Sequence, residues 1–172
     1  MTAATTFFEV QGLDLIPQRY DNSCWYACAR MILNWKDNRQ QGVCTDNPEE
    51  LDGLSQTMMR INSPIFNNQI LSFARRLDFS YLPPTGVTLG QVGNMLRMYG
   101  PLWLCGDGHI VVIAGIDGDS LKVYDPSPVN IGNVDWWPFD VMFSPNLGSV
   151  VSSPARLNTS TTAVATFLYL AS

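Results

Sequence analysis

The sequence predicts an α+β fold in which helices come first and an antiparallel sheet follows. Apolar residues recur at helical spacing before Pro101, whereas a continuous, β-branched apolar run and several Gly/Asp turns come after it. The 172 residues, 46% hydrophobic and 15% charged, are typical of a globular chain that buries one sizeable core. We therefore expect a single domain over residues 1–172, with a helical lobe over about 18–100 and a β lobe over about 101–172.

The first helix is predicted over about 24–37. Its apolar positions follow the i, i+3, i+4, i+7, i+8, i+11 pattern of one buried helical face, namely Cys24, Ala27, Cys28, Met31, Ile32 and Trp35. Residues 21–23 are favourable N-cap residues, so Cys24 is expected in the first turn, where free N–H groups and the helix dipole favour a thiolate. A cysteine on such a face is otherwise a small buried hydrophobe. The spacing of Cys24 and Cys28 also fits a metal-ligand pair, although no second Cys/His pair at ligand spacing follows.

Three further helices are predicted from start and stop signals. Asp46-Asn47-Pro48 precedes a helix over about 48–60, and Asn62-Ser63-Pro64 precedes an apolar stripe that ends at Leu77. Thr88 and Gln91 match a capping box that opens a helix over about 89–99, and Gly100-Pro101 ends it.

The remaining segments predict an antiparallel meander flanked by irregular chain. Strands are expected at 102–105, 109–116, 121–125 and 163–170, because turn residues separate apolar or alternating runs there. We expect an extended arm over 1–17, an aromatic segment over 135–139 that covers a core edge, and a long polar loop over 144–163.

Charge and composition exclude several classes of function. The net charge is −5 and no Lys/Arg cluster exceeds a pair, which argues against a nucleic-acid partner. No apolar run of about 18 residues is present, so no membrane span is predicted. The N-terminus lacks the basic region of a secretory signal, and four cysteines are sparse for this length. We therefore expect the protein to be made in the cytoplasm with its thiols reduced. Export by a dedicated secretion system stays open.

Four residues form a candidate catalytic set. A cysteine nucleophile requires a general base held by a third polar group, and His109 is the one histidine of the chain. His109 opens a predicted strand and Asp125 closes the next one, so a hairpin would bring the two together. Gln18, six residues before Cys24, could supply an amide donor above the sulfur. Taken separately, His109 could equally be structural and Asp125 an ordinary strand-ending residue before proline.

In this order, the residues resemble the papain-like cysteine peptidases, in particular compact bacterial forms such as effector proteases and bacteriocin-processing peptidases. That family likewise has Gln, five residues and then Cys-Trp at a helix start, followed by His and a polar partner. The resemblance covers about residues 16–128. It implies a papain-like fold with Cys24 as nucleophile, His109 as general base and acid, and Asp125 orienting the imidazole. It also implies an oxyanion hole formed by Gln18 and the Cys24 N–H.

Two features depart from papain itself. The third residue of the candidate catalytic set is Asp125, where papain has Asn. Several compact bacterial relatives also have Asp at this place. The glycine-rich surroundings of the papain cysteine are absent, and residues 19–23 stand in their place. These departures leave the substrate preference undefined.

The resemblance implies a cysteine endopeptidase that cleaves protein or peptide substrates through an acyl-enzyme, with no metal or cofactor. It further implies a secreted bacterial effector or toxin with an inhibitor or immunity partner. Two alternatives stay open: other Cys–His acyl chemistry, such as an amidase acting on cell-wall peptide, a deamidase or an acyltransferase, and a non-catalytic binding module on the same fold.

Overall fold

The computed structural model describes residues 7–37, 53–106, 108–143 and 164–171. Its helices are α1 Cys24–Lys36, α2 Gly53–Arg60, α3 Asn67–Arg76, α4 Leu89–Tyr99 and α5 Phe139–Met142. Its strands are β1 Phe7–Glu9, β2 Ser80–Gly86, β3 Leu102–Cys105, β4 Ile110–Asp117, β5 Ser120–Asp125, β6 Asn133–Pro138 and β7 Val164–Tyr169. The predicted helix start at 46–50 and the predicted loop over 144–163 lie outside the described residues.

The seven strands form one antiparallel sheet in the order β2-β7-β3-β4-β5-β6. β3 to β6 are a meander, as the alternation of strands and turns predicts. β1 pairs with the second half of β4, next to the part of β4 that pairs with β3. β4 therefore lies at the centre of the sheet and is buried except at its last residue. The start of β4, which His109 precedes, pairs with the end of β3, and from Val112 onward β4 also pairs with β5.

The helices pack on this sheet through an aromatic core. α1 lies against β3 and β4, and α4 lies against β4. The Trp25 and Phe73 rings meet edge to face at 5.3 Å, and the Trp103 indole donates a hydrogen bond to the Trp25 carbonyl oxygen at 3.1 Å. All three rings are fully buried. These contacts fix the N-terminal turn of α1 relative to the start of the sheet, because large rigid rings allow few alternative packings.

The predicted α+β architecture, with helices first and the sheet last, is confirmed. Two elements differ from the sequence prediction. Ser80–Gly86 is an edge strand paired with β7 inside the region expected to be mostly helical, and Asn133–Pro138 is the opposite edge strand, from which Trp137 packs against the core. Pro83 and Pro84 interrupt β2 and Pro138 ends β6, which obscures the strand pattern. An edge strand tolerates proline because one of its sides forms no hydrogen bonds to a neighbouring strand. In the described residues, no helix is long and apolar enough to cross a bilayer.

Candidate active site

Cys24 is the first residue of α1, and Ser23 is its N-cap. The Ser23 hydroxyl does not cap the helix. It accepts a hydrogen bond from the Tyr20 N–H at 3.0 Å and donates one to the Tyr20 carbonyl at 3.1 Å, which closes the turn before the helix. Among the described residues, the Cys24 N–H has no hydrogen-bond partner. The thiol therefore sits at a helix N-terminus beside an available backbone donor.

His109 and Asp125 meet as the predicted hairpin requires. The Nε2 atom of His109 lies 2.7 Å from Oδ1 of Asp125, and this carboxylate is only 1% exposed. The Ser127 N–H also donates to Oδ1 at 2.9 Å, so the carboxylate is fixed by the turn that follows β5. Since Nε2 faces Asp125, Nδ1 is the ring nitrogen left to interact with Cys24.

The environment of His109 favours the imidazolium. Burial alone would lower the pKa of His109, but hydrogen bonds to Asp125 and Cys24, reinforced by their negative charge, outweigh it and raise the pKa to about 9. A charged imidazole between a carboxylate and a sulfur is the arrangement that stabilises a thiolate at neutral pH. The structure thus brings Cys24, His109 and Asp125 into one chain of contacts.

Cys28 has a different role from Cys24. It is fully buried, and its thiol donates to the Ile110 carbonyl at 3.4 Å. Burial, followed by the proximity of Cys24, Asp125 and Cys105, raises the pKa of Cys28 well above its ordinary value. A thiol that stays protonated is a poor nucleophile, but this one fastens α1 to the residue next to His109. Sequence analysis placed Cys28 on the core face and did not predict this bond.

Gln18 lies on the turn before Cys24 and is 3% exposed. Its Nε2 donates to the Tyr20 carbonyl at 2.8 Å and to the Asp21 carbonyl at 2.9 Å, while its Oε1 is buried without a partner. The side-chain amide is thus bound to the turn. The Gln18 backbone N–H donates to the Pro126 carbonyl at 2.8 Å, which ties this turn to the loop that holds Asp125.

A cavity of about 290 Å³ opens between the helices and the sheet at Cys24 and His109. One wall, residues 64–67, comes from the chain between α2 and α3 and the first residue of α3. The other wall comes from the end of β3, the start of β4 and residues between them. The lining is uncharged apart from His109. Sequence analysis identified Asn62-Ser63-Pro64 only as a helix start, so this wall was missed, as was Cys105, which also lines the cavity. No local pattern marks either, because both reach the site through tertiary packing.

Within the described residues, no group of three or more His, Cys, Asp or Glu side chains is arranged to hold a metal ion. Cys24, Cys28 and Cys105 carry free thiols. The metal-ligand interpretation of Cys24 and Cys28 has no support from these neighbours, since a protein zinc site uses three or four ligands.

Fold and site together define a papain-like cysteine peptidase. The chain belongs to the family of the papain-like cysteine protease AvrRpt2, whose sequence model matches residues 8–138. Among solved structures, it is similar to UfSP from C. elegans, with a TM-score of 0.60 and 13% sequence identity over 98% of this chain. The match spans 34% of the UfSP chain, and at this identity it shows a shared fold alone. No curated protein matches the sequence significantly.

Proposed function

We propose that this peptidase cleaves protein substrates with a Cys24–His109–Asp125 triad. The observation that carries the proposal is the position of His109, which is hydrogen-bonded to the buried Asp125 through Nε2 and lines the same cavity as Cys24, a neighbour that helps to raise its pKa. Asp125 would hold the imidazole in one orientation and stabilise its charge. Of the three free thiols in the described residues, Cys28 and Cys105 are buried, whereas Cys24 is partly exposed to solvent.

The chemistry follows from these positions. The Cys24 thiolate would attack the scissile carbonyl carbon and form a C–S bond, while the carbonyl oxygen becomes an oxyanion. The His109 imidazolium would then protonate the leaving amine as the C–N bond breaks. Neutral His109 would next take a proton from water, which attacks the thioester, releases the acid and regenerates the thiolate.

Two donors are proposed for the oxyanion. The Cys24 N–H is supported by its lack of a partner among the described residues and its place in the first turn of α1. Gln18 is supported by its burial on the adjoining turn. Because its Nε2 already donates to two carbonyls, one of those bonds must be released or shared when the oxyanion forms. A preorganised donor lowers the barrier by about 3 kcal/mol, a contribution that the Cys24 N–H would make without giving up another bond in the described residues.

An extended peptide fits the cavity better than a bulky polar ligand. Ile65 faces the cavity, and in the described part of the chain neither its N–H nor its C=O is hydrogen-bonded. Ile65 is half-buried, and its N–H and C=O would be costly to leave unpaired once a bound chain excludes water, so this residue is suited to pair with the backbone of that chain. Ile65, Phe66 and Ile110 give the cavity apolar walls for an uncharged side chain.

For the biological role, we propose a bacterial effector or toxin, made in the cytoplasm and delivered by a dedicated secretion system, with an inhibitor or immunity protein as partner. The resemblance to compact bacterial effector proteases supports this assignment.

The test is a comparison of wild type with Cys24→Ala by enrichment of new protein N-termini after incubation with a cell lysate. We expect new N-termini that depend on Cys24, together with their loss in His109→Ala. Deamidated or transamidated side chains without new N-termini would favour the other Cys–His chemistry. The same number of N-termini in wild type and Cys24→Ala would contradict the proposal.

A further inference from the structure

Three hydrogen bonds join the residues on either side of Cys24 to the end of α2. The Asn22 N–H donates to Oδ1 of Asn62 at 3.1 Å, and Asn22 Nδ2 donates to the Asn62 carbonyl at 3.1 Å. On the other side, the Trp25 indole donates to the Ser63 carbonyl at 3.1 Å. These bonds link segments 40 and 38 residues apart in the sequence.

Asn62 meets two requirements at once. Its φ of 51° lies in the left-handed region, where Asn is among the few non-glycine residues that fit without large strain. This conformation ends α2, and the Asn62 N–H donates to the Met59 carbonyl at 3.1 Å. The side-chain oxygen then accepts from Asn22. Glycine would satisfy the backbone but lose the acceptor, and alanine would satisfy neither requirement.

The chain after Asn62 becomes the cavity wall, residues 64–67. Ser63 is held by the Trp25 indole and by its own N–H, which donates to the Met58 carbonyl at 2.9 Å. Ile65 follows two residues later and lines the cavity, and within the described residues its backbone N–H and C=O have no hydrogen-bond partner. The distance between this wall and the Cys24 sulfur therefore depends on the bonds at Asn22 and Trp25.

We infer that Asn62 is a positioning residue that sets the cavity wall in register with the nucleophile, so that a peptide paired with Ile65 presents its carbonyl to Cys24. The inference rests on the proposed role of Cys24. Asn62 touches neither substrate nor sulfur in this role. It acts through Asn22 on one side and through residues 64–67 on the other.

The experiment compares two reagents on Cys24 in wild type and in Asn62→Ala, Asn62→Gly and Asn62→Asp. A peptidyl epoxysuccinate with apolar side chains needs both the wall and the thiolate, whereas iodoacetamide needs only the thiolate. The measured quantity is the ratio of the two second-order labelling rates. Asn62→Ala and Asn62→Gly should lower this ratio roughly three- to tenfold, the effect of one lost hydrogen bond. Asn62→Asp retains the acceptor oxygen and should stay within about twofold of wild type.

Asp78→Ala is the matched control. Asp78 follows α3 with a φ of 57°, so the variant carries the same backbone strain, but the residue does not line the cavity. Its ratio should equal that of wild type. The inference would be overturned if the ratio in Asn62→Ala or in Asn62→Gly equalled that of wild type. It would also be overturned if the ratio of wild type were no higher than that of a free thiol. Labelling of Cys24 by neither reagent would instead overturn the proposed nucleophile.

Discussion

The Nε2 atom of His109 and the Oδ1 atom of Asp125 lie 2.7 Å apart, although His109 precedes β4, Asp125 ends β5 and 16 positions separate the two residues. The pairing of β4 with β5 creates this contact, since Val112 stands opposite Tyr124 and Ile113 opposite Val123. The carboxylate is inaccessible to water, so its charge acts mainly on the imidazole and on the Ser127 N–H.

Asp125→Asn should lower turnover without abolishing it. The amide keeps the shape of the carboxylate but loses its negative charge, so the imidazolium that forms during catalysis is less stabilised. We expect a fall in kcat of roughly 10²- to 10⁴-fold. Asp125→Ala should likewise leave a residual rate. The measurement is single-turnover cleavage of a substrate identified by N-terminal enrichment, and an unchanged kcat in both variants would contradict the assigned role.

Iodoacetamide should label Cys24 selectively at about pH 5.5, where an ordinary thiol is almost entirely protonated. The reason is the neighbouring His109, whose pKa is raised to about 9 by Asp125 and Cys24 against the effect of burial. His109→Ala should slow this labelling to the rate of a free thiol. Mass spectrometry maps the modified residue, and Cys24→Ala is the control for specificity. Equal labelling of Cys24 and Cys105 in wild type would show that the sulfur is not activated.

The stability of the protein should fall as the pH rises through about 9. The pKa of His109 is higher in the folded protein than the unfolded value of 6.5, so its protonated form stabilises the fold. This contribution is complete below about pH 6.5 and disappears above about pH 9, with a size of about 3 kcal/mol. Urea unfolding at pH 6, 7.5, 9 and 10 measures it. The loss should be smaller in Asp125→Asn, and an identical pH dependence in that variant would refute the linkage.

Gln18→Ala should reduce turnover while Cys24 remains open to alkylation. Loss of an oxyanion donor costs roughly 10²- to 10³-fold in kcat, whereas attack on iodoacetamide generates no oxyanion at a carbonyl. The substitution also removes the bonds to the Tyr20 and Asp21 carbonyls, so thermal unfolding must be measured alongside. If alkylation of Cys24 were lost in a folded variant, Gln18 would have a different role, namely holding the turn that presents the sulfur.

Gly100→Ala should destabilise the fold without affecting the chemistry at Cys24. A Cβ atom at this position would lie 2.3 Å from the Trp35 ring, and the φ of 78° disfavours any side chain. We expect a loss of roughly 2–4 kcal/mol from overpacking and backbone strain together. Gly118→Ala is the control, because its φ is 58° but nothing lies within 4 Å of the added carbon. Equal losses in the two variants would assign the whole effect to backbone strain.

Much of the site could be predicted because its residues stand at the ends of elements with clear local signals. The apolar stripe of α1 and the polar residues before it place Cys24 in a first turn. The buried run of β4 and the alternation of β5 place His109 and Asp125 at the same end of a hairpin. Thr88 and Gln91 form the expected capping box of α4, with reciprocal bonds of 3.2 and 2.8 Å. In each case, the position of the residue follows from local geometry, namely helix periodicity, a hairpin between consecutive strands or a capping box.

The tertiary structure alone decided the rest. The sequence determined the fold class, the order of helices and sheet, and the three candidate catalytic residues. Only the folded chain showed that Cys28 fastens α1 to Ile110, that the Gln18 amide binds its own turn, and that Asn62, which precedes the cavity wall, bonds to Asn22, two residues before Cys24. These contacts depend on how separate segments pack in three dimensions, and helix and strand periodicity describes only which face of a segment is buried.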